Sequence, residues 1–390
     1  MVIAIACDVL GHETNGTEVA AGNLIRFLQG RGHEVRVLCA DQYRRGQRGY
    51  YVVPNRSFGP LNRYVEKSDV TIAKPDYQVI RAALEGVDVV HIMMPLPLGL
   101  ATAKVARELN IPLTAGFHMQ AENATNNFKL GWSKTVNDLV YRYIWKHLYS
   151  HCVAIHYPTQ FIRDIFEGSL GHVTPGRVIS NGVNPAVKPR PAVRPAKFED
   201  RFVILSTGRY SKEKSQDTLL KAVALSKHRE RIQVVLAGHG PLEDQYRALG
   251  DKLPNQPLFR LFPRDEIIDA YNWCDMYVHP AVAELEGIAV LEAIACGKLT
   301  LVSDSPQSAT SGFAVDGRCI FPARDPAALA QTIDYWIEHP AEAREVADRY
   351  LASAQALSLE SCMAQMEEML YQAAGINEFE FLSQPLAIRA

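Results

Sequence analysis

Several chemistries are removed by what the chain lacks. No two aspartates stand one residue apart, so the paired-aspartate device that holds a diphosphate through a metal ion is missing. HExxH, a P-loop and GxSxG are also missing, which removes zinc-protease, Walker-type and nucleophile-elbow readings. The seven cysteines are odd in number and form no CxxC; most sit in apolar runs and read as buried thiols of a reducing compartment. No apolar run is long enough to span a bilayer. Val87–Ala106 comes nearest, but His91, Pro95 and Pro97 interrupt it and Lys104 closes it. The opening MVIAIACDVL is short and lacks a basic start, so it reads as a strand and not a leader. These features together imply a cytoplasmic protein. A net charge of −2 argues against a dedicated nucleic-acid binder.

What is present is a long alternation of short β-branched runs with helical patterns. The 390 residues, 47% apolar, suffice for two domains with cores of their own. Strands are expected at Val2–Cys7, Glu34–Cys39, Val87–Met93, Pro112–Phe117, Cys152–Tyr157 and near Arg177–Ile179. A second series covers Phe202–Thr207, Ile232–Ala237, Leu258–Phe262, Met276–His279, Leu299–Ser303 and Cys319–Phe321. Helical patterns fill the gaps, so the fold class is α/β with two doubly wound parallel sheets. Pro185–Asp200, PAVKPRPAVRPAKFED, cannot make a helix or a central strand and reads as the linker. The expected division is 1–184, linker 185–200, 201–374 and a C-terminal tail 375–390.

Ligands on such sheets sit beyond the carboxyl ends of the strands, and several polar residues fall there. Glu284 and Glu292 stand eight apart in AELEGIAVLEAIACGK, the first in a loop and the second in an apolar helix. Carboxylates at such a mouth accept hydrogen bonds from sugar hydroxyls, and the amides of Gly287, Ile288 and Ala289 are free to hold a phosphate. Two solvated acids before a core helix are the competing account. In TGRYSKEK, Arg209 and Lys214 lie between a strand and a helix, where two cations make a diphosphate clamp; Lys212 competes, and a solvated basic loop is the alternative. Gly238 and Gly240 in AGHGP permit close backbone approach, but Glu243 stands where a dinucleotide fingerprint needs its third glycine. Gly16 in the turn Asn15-Gly16-Thr17 opens the first helix and suits either a ligand or a plain turn. His118 follows the strand Pro112–Phe117, with Glu122 and Asn123 close behind; a structural histidine is the other reading.

In their order and spacing these motifs resemble the family 4 retaining glycosyltransferases, with a GT-B fold of two Rossmann-like domains facing a cleft. The resemblance runs from Val2 to about Ala374. FHMQAENAT (Phe117–Thr125) and SDSPQSATSGFAVD (Ser303–Asp316) are similar to the bacterial branch that glycosylates membrane diacylglycerol. Two departures are Glu286, where many relatives carry an aromatic residue, and Ser215, where glycine often follows the clamp lysine. The resemblance implies a hexose, with glucose favoured, moved from a nucleotide sugar of the UDP type without metal or other cofactor. It implies that Glu292 holds the ribose and that Glu284 and His118 contact the donor sugar. Arg209 and Lys214 would neutralise the diphosphate, helped by backbone amides at Gly16 and Gly287–Ala289.

The acceptor side falls to the first domain. Phe128–His151 interleaves Lys129, Lys134, Arg142 and Lys146 with Trp132, Tyr141, Tyr143, Trp145 and Tyr149, a composition suited to an anionic membrane surface. QYRRGQRGYYVVPNR is a second basic, aromatic patch. The dull alternative makes Val140, Ile144 and Leu148 a core stripe. A peripheral enzyme with a lipid acceptor is the leading expectation. A soluble or polysaccharide acceptor comes next, and a non-catalytic nucleotide-sugar-binding partner subunit is the alternative of another class.

Overall fold

The computed structural model describes residues 1–10, 16–56, 72–121 and 133–376. Asn15, Glu122, Asn123, Phe128, Lys129, Trp132 and most of the expected tail lie outside them. The chain divides into two compact units, Met1–Asn181 joined by the C-terminal segment from Glu360, and Gly182–Leu359.

In the first unit the elements run β1 Val2–Cys7, α1 Gly16–Gly30, β2 Glu34–Cys39, β3 Tyr50–Val52, α2 Tyr77–Leu84, β4 Val89–Ile92, α3 Pro97–Glu108, β5 Leu113–Gly116, α4 Lys134–His147, β6 Ala154–Tyr157, α5 Gln160–Leu170 and β7 Gly176–Val178. All seven strands are parallel, in the order β3-β2-β1-β4-β5-β6-β7. The central strands β4 and β5 are buried along their whole length, as a sheet covered on both faces requires. β3 is the strand the sequence did not announce: three residues inside a basic, tyrosine-rich stretch. Asp8, just past β1, caps α3 from a distance by accepting from the Leu98 and Gly99 amides at 3.1 and 3.3 Å. Burial raises its carboxyl to about 6, with those amide bonds pulling the other way.

The second unit runs β8 Phe202–Thr207, α6 Gln216–Leu225, β9 Ile232–Ala237, α7 Glu243–Gly250, β10 Leu258–Arg260, α8 Arg264–Trp273, β11 Met276–His279, α9 Ile288–Ala295, β12 Leu299–Ser303, β13 Ile320–Phe321, α10 Pro326–Glu338 and α11 Pro340–Ala354. Its six parallel strands lie in the order β10-β9-β8-β11-β12-β13. Both sheets therefore reverse strand order beside their first strand, at β1/β4 and at β8/β11. Such a switch point opens a crevice at the carboxyl ends.

Two boundary expectations change. The proline-rich segment 185–200 belongs to the second unit: Val187 and Phe198 are in its core. Arg190 bonds Asp269 at 2.7 Å, and Arg194 bonds the Trp273 carbonyl and Asp275 at 2.6 and 2.7 Å. Proline fixes this stretch as extended chain, and its arginines supply the anchors that a ladder would otherwise provide. The final helix, α12 Leu359–Ala373, leaves the second unit for the first. Glu367, nearly buried, accepts from His33 at 2.7 Å and from Arg31 at 3.2 Å, while Arg177 bonds Glu368 at 3.1 Å.

Removing the Glu367 carboxylate leaves a buried histidine and an arginine without their partner. Glu367→Ala should lower the unfolding free energy by about 2–3 kcal/mol in a urea titration, with Glu367→Gln losing less. Equal stability of Glu367→Ala and the parent would show that α12 is not held this way.

Candidate active site

The site grows from two loops in the second unit. β8 ends at Thr207 and turns through Gly208 into Arg209. β9 ends at Ala237 and turns through Gly238. A Cβ on Gly238 would lie 2.1 Å from the Gly208 carbonyl oxygen, and one on Gly240 would lie 2.6 Å from Tyr210 backbone atoms. The close approach these glycines allow is thus to the neighbouring loop, not to open space. Backbone bonds stitch the two together: Gly208 N–H to the Ala237 carbonyl at 3.0 Å and Tyr210 N–H to the His239 carbonyl at 2.9 Å. Gly238 and Gly240 serve the site by fixing the backbone that carries Arg209. Arg209 itself is exposed.

Lys214 closes the turn before α6. It is followed by Ser215 at φ 51°, the left-handed region, which explains why glycine suits this position in the family pattern. The serine bears a strain of about 1–2 kcal/mol, partly offset by its hydroxyl bond to Thr218 at 3.0 Å. Lys212 is exposed, whereas Lys214 is mostly covered and ion-paired with Glu284. That pairing places Lys214, and not Lys212, beside Glu284.

Glu284 lies past the end of β11, the strand beside β8. Its loop is held by the segment after β12: Glu284 N–H donates to the Gln307 carbonyl at 3.2 Å, and Ala309 N–H donates to the Glu284 carbonyl at 2.9 Å. Ser303 and Ser305 bond the Ala281 and Val282 carbonyls at 2.5 and 2.6 Å. The serine-rich stretch Ser303–Asp316 therefore scaffolds this carboxylate. Glu284 Oε1 receives both Lys214 Nζ and His279 Nε2, the latter at 2.9 Å. Among the described residues Oε2 takes no hydrogen bond, which leaves it for a ligand hydroxyl. Burial would raise the Glu284 carboxyl, but the Lys214 charge and the His279 bond outweigh it and hold the group down at about 2.

Behind His279 runs a buried relay. Its Nδ1 lies 3.0 Å from Tyr277 OH, and Tyr277 OH lies 3.0 Å from Thr207 Oγ1. Thr207 Oγ1 is in turn 3.1 Å from Tyr271 OH, which donates to Glu292 Oε2 at 3.0 Å. Arg264 holds the other Glu292 oxygen at 2.8 Å. The two glutamates picked out by their spacing are thus joined through four side chains that the sequence reading missed. A signal existed: Tyr277 and His279 alternate with apolar Met276 and Val278, which places two polar groups on one face of a strand. Glu292 sits within α9, whose N-cap is Gly287 at φ 83°. The first intrahelical donors are Val290 and Leu291, so the Gly287, Ile288 and Ala289 amides precede the ladder. A Cβ on Gly287 would meet Thr310 at 2.6 Å. Glu286 is itself buried.

Gly16 and His118 belong to the first unit. Gly16 starts α1 and is exposed, and among the described residues nothing lies within 4 Å of where a Cβ would stand. His118 is buried, and among the described residues its Nε2 has no hydrogen-bond partner. Burial, with His156 and His91 nearby, pushes it well below the usual histidine value, so the ring is neutral. Phe117 anchors the segment among Tyr141, Tyr149, Tyr157 and Phe166, and Tyr149 OH donates to the Gly116 carbonyl at 3.0 Å. This revises the aromatic helix: Tyr141 and Tyr149 are core residues, and Trp145 packs on Phe166 and His172. The buried stripe is Asn137, Tyr141, Ile144 and Leu148; Leu139 and Tyr143, 60% and 55% exposed, remain outside with Lys134, Arg142 and Lys146.

Comparison with known proteins identifies the family. The profile "Glycosyltransferase Family 4" matches residues 14–187 and "Glycosyl transferases group 1" matches residues 189–352. The chain is a family 4 glycosyltransferase with a GT-B fold. This glycosyltransferase is 24% identical to alpha-monoglucosyldiacylglycerol synthase of Streptococcus pneumoniae over 233 residues, 56% of this chain and about half (52%) of that relative's length. It is 25% identical to a GDP-mannose-dependent alpha-mannosyltransferase of Mycolicibacterium smegmatis over 323 residues, 78% of this chain and 80% of the relative. The structure of HepE from Anabaena in complex with UDP and glucose matches its fold with a TM-score of 0.72 at 18% identity, covering 95% of this chain and 100% of that one.

The depressed Glu284 carboxyl makes a pH prediction. Its contribution to stability is whole above the ordinary value of 4.5 and fades as pH falls toward about 2. Glu284→Gln should therefore be less stable than the parent at pH 7, and the gap should narrow steadily below pH 4.5 in matched urea titrations. A gap that stays constant down to pH 3 would contradict the ion-pair account.

Proposed function

We propose that this glycosyltransferase moves a hexose, glucose in the favoured reading, from a UDP-linked donor to a membrane lipid such as diacylglycerol, with retention at the anomeric carbon. The observation that carries the donor half is the cluster at the β8/β11 switch point, where Lys214, Glu284 and His279 converge and Glu292 lies within α9. In this reading Glu292 binds the ribose hydroxyls, and Glu284 Oε2 binds a hydroxyl of the sugar. Arg209, Lys214 and the Gly287–Ala289 amides take the charge of the diphosphate. In the first unit His118 is neutral, with Nε2 unbonded among the described residues, and it and Gly16 are the residues to which the family pattern gives a donor contact.

The acceptor hydroxyl attacks the anomeric carbon on the face from which the diphosphate leaves. The new carbon–oxygen bond forms as the sugar–phosphate bond breaks, and the acceptor proton passes to the departing phosphate oxygen. No protein nucleophile is needed. Fixed cations aimed at the leaving group supply the acceleration, and the reading calls on no metal or cofactor.

The acceptor half rests on the named lipid product of the pneumococcal relative and on the first unit's surface. α4 exposes Leu139 and Tyr143 beside Lys134, Arg142 and Lys146. The loop 42–48 exposes Tyr43, at 94%, with Arg44, Arg45 and Arg48. Such mixtures of rings and cations bind anionic headgroups. No helix among the described residues is long and apolar enough to cross a membrane. A second reading, with a mannosyl donor or a soluble acceptor, is favoured by the mannosyltransferase relative, whose match covers more of both chains. The full set of Arg209, Lys214, Glu284 and Glu292 speaks against a non-catalytic subunit.

The test uses radiolabelled UDP-glucose and GDP-mannose with diacylglycerol vesicles. Label from UDP-glucose should enter the organic phase, and Lys214→Ala should lower kcat about a hundredfold. Label that enters no lipid with either donor removes the lipid acceptor, and GDP-mannose as the better substrate removes the donor assignment.

A further inference from the structure

The relay behind Glu284 contains a choice that the geometry resolves. Glu284 is ionised, and a carboxylate can only accept, so the His279 nitrogen 2.9 Å away must carry the hydrogen. In a neutral imidazole the other nitrogen, Nδ1, is then bare and must accept. Its partner is Tyr277 OH at 3.0 Å. Tyr277 is fully buried, and burial pushes its hydroxyl far above the usual range, so it keeps its proton and can donate. Thr207 Oγ1, 3.0 Å from the same oxygen, limits where that hydroxyl can rotate. The alternative tautomer would aim a bare Nε2 at the carboxylate and an N–H at Tyr277. It would lose the bond to Glu284 and set two lone pairs against each other.

We propose that Tyr277 is a positioning residue that, by donating to Nδ1, locks the His279 ring in the orientation its Nε2–H needs, and that this lock holds Glu284 with Oε2 turned to the donor sugar. The inference deepens the proposed glycosyl transfer and rests on it for the sugar contact, but the lock itself does not depend on what the enzyme transfers. Lys214 alone cannot replace it. The ammonium group fixes one oxygen with a mobile point charge, whereas the imidazole N–H defines a direction. Neither Tyr277 nor His279 touches the reacting atoms in this account; both act through Glu284.

In Tyr277→Phe the ring keeps its packing and loses only the hydroxyl. The variant's kcat/KM for transfer should fall about tenfold. Thr207→Val, which releases the Tyr277 hydroxyl from the other side, should show a smaller loss. In a His279→Gln background, which has no imidazole to hold, Tyr277→Phe should have little further effect.

An activity-free measurement separates this inference from the proposed function. In protein labelled with 15N-histidine, with His279 assigned from the His279→Gln variant, the parent should show a protonated Nε2 and a bare Nδ1 at pH 8. Tyr277→Phe should keep the Nε2 proton, which Glu284 requires, and should shift the Nδ1 signal to that of a nitrogen without a hydrogen-bond donor. A bare Nε2 in the parent, an unchanged Nδ1 signal in Tyr277→Phe, or an unchanged kcat/KM in that variant would each overturn the lock. If the spectra are as expected but neither UDP-glucose nor GDP-mannose supports transfer, the lock stands and the reading of the reaction fails.

Discussion

The Lys214–Glu284 ion pair is the contact on which the proposed donor site hangs. Its partners come from loops after adjacent parallel strands, β8 and β11, so it forms only where the sheet reverses its strand order. Taking two charges out of water is costly, and such a pair is weak support for stability by itself. Here the cost is shared. His279 gives Glu284 a second donor, and the chain through Tyr277, Thr207 and Tyr271 reaches Glu292, which Arg264 neutralises from the far side. Every charge in the network has a partner, and the loops that present them are fixed by glycines whose space is filled by neighbouring backbone or side chain.

In the proposed reading the two units divide the work along chemical lines. The second unit holds groups that suit a ribose, a diphosphate and a hydroxylated ring. The first unit offers a neutral buried histidine, an exposed glycine at the start of α1 and a surface mixing rings with cations. Relatives named for different donors and acceptors fit such a division, because a common grip on the leaving group leaves the sugar and the acceptor to be chosen by fewer contacts.

Much of the architecture was legible in the chain because short β-branched and apolar runs alternate with helical patterns, and twelve of the thirteen strands among the described residues fall in stretches expected as strands. β3 escaped because three residues, Tyr50–Val52, carry no period. The linker was misread because proline content shows where regular structure stops but not where the chain is anchored, and Arg190 and Arg194 find their partners about eighty residues away. α12 was assigned to the wrong unit for a similar reason: its helical period shows a buried face but not which core covers it. Tyr141 and Tyr149 looked like interfacial aromatics until their contacts with Phe117 placed them in the core. The paired glutamates and the clamp lysine were visible as a pattern. The relay between the glutamates was not, because its members come from β8, α8, β11 and α9 and meet only in three dimensions.

The central claim is that the second unit grips the donor through its diphosphate at the β8/β11 switch point. A crystal structure of the protein with bound UDP tests it most directly. The account predicts the β-phosphate within hydrogen-bonding distance of Lys214 or Arg209 and of the first amides of α9, with ribose hydroxyls on Glu292. UDP bound with its phosphates away from these groups would contradict it.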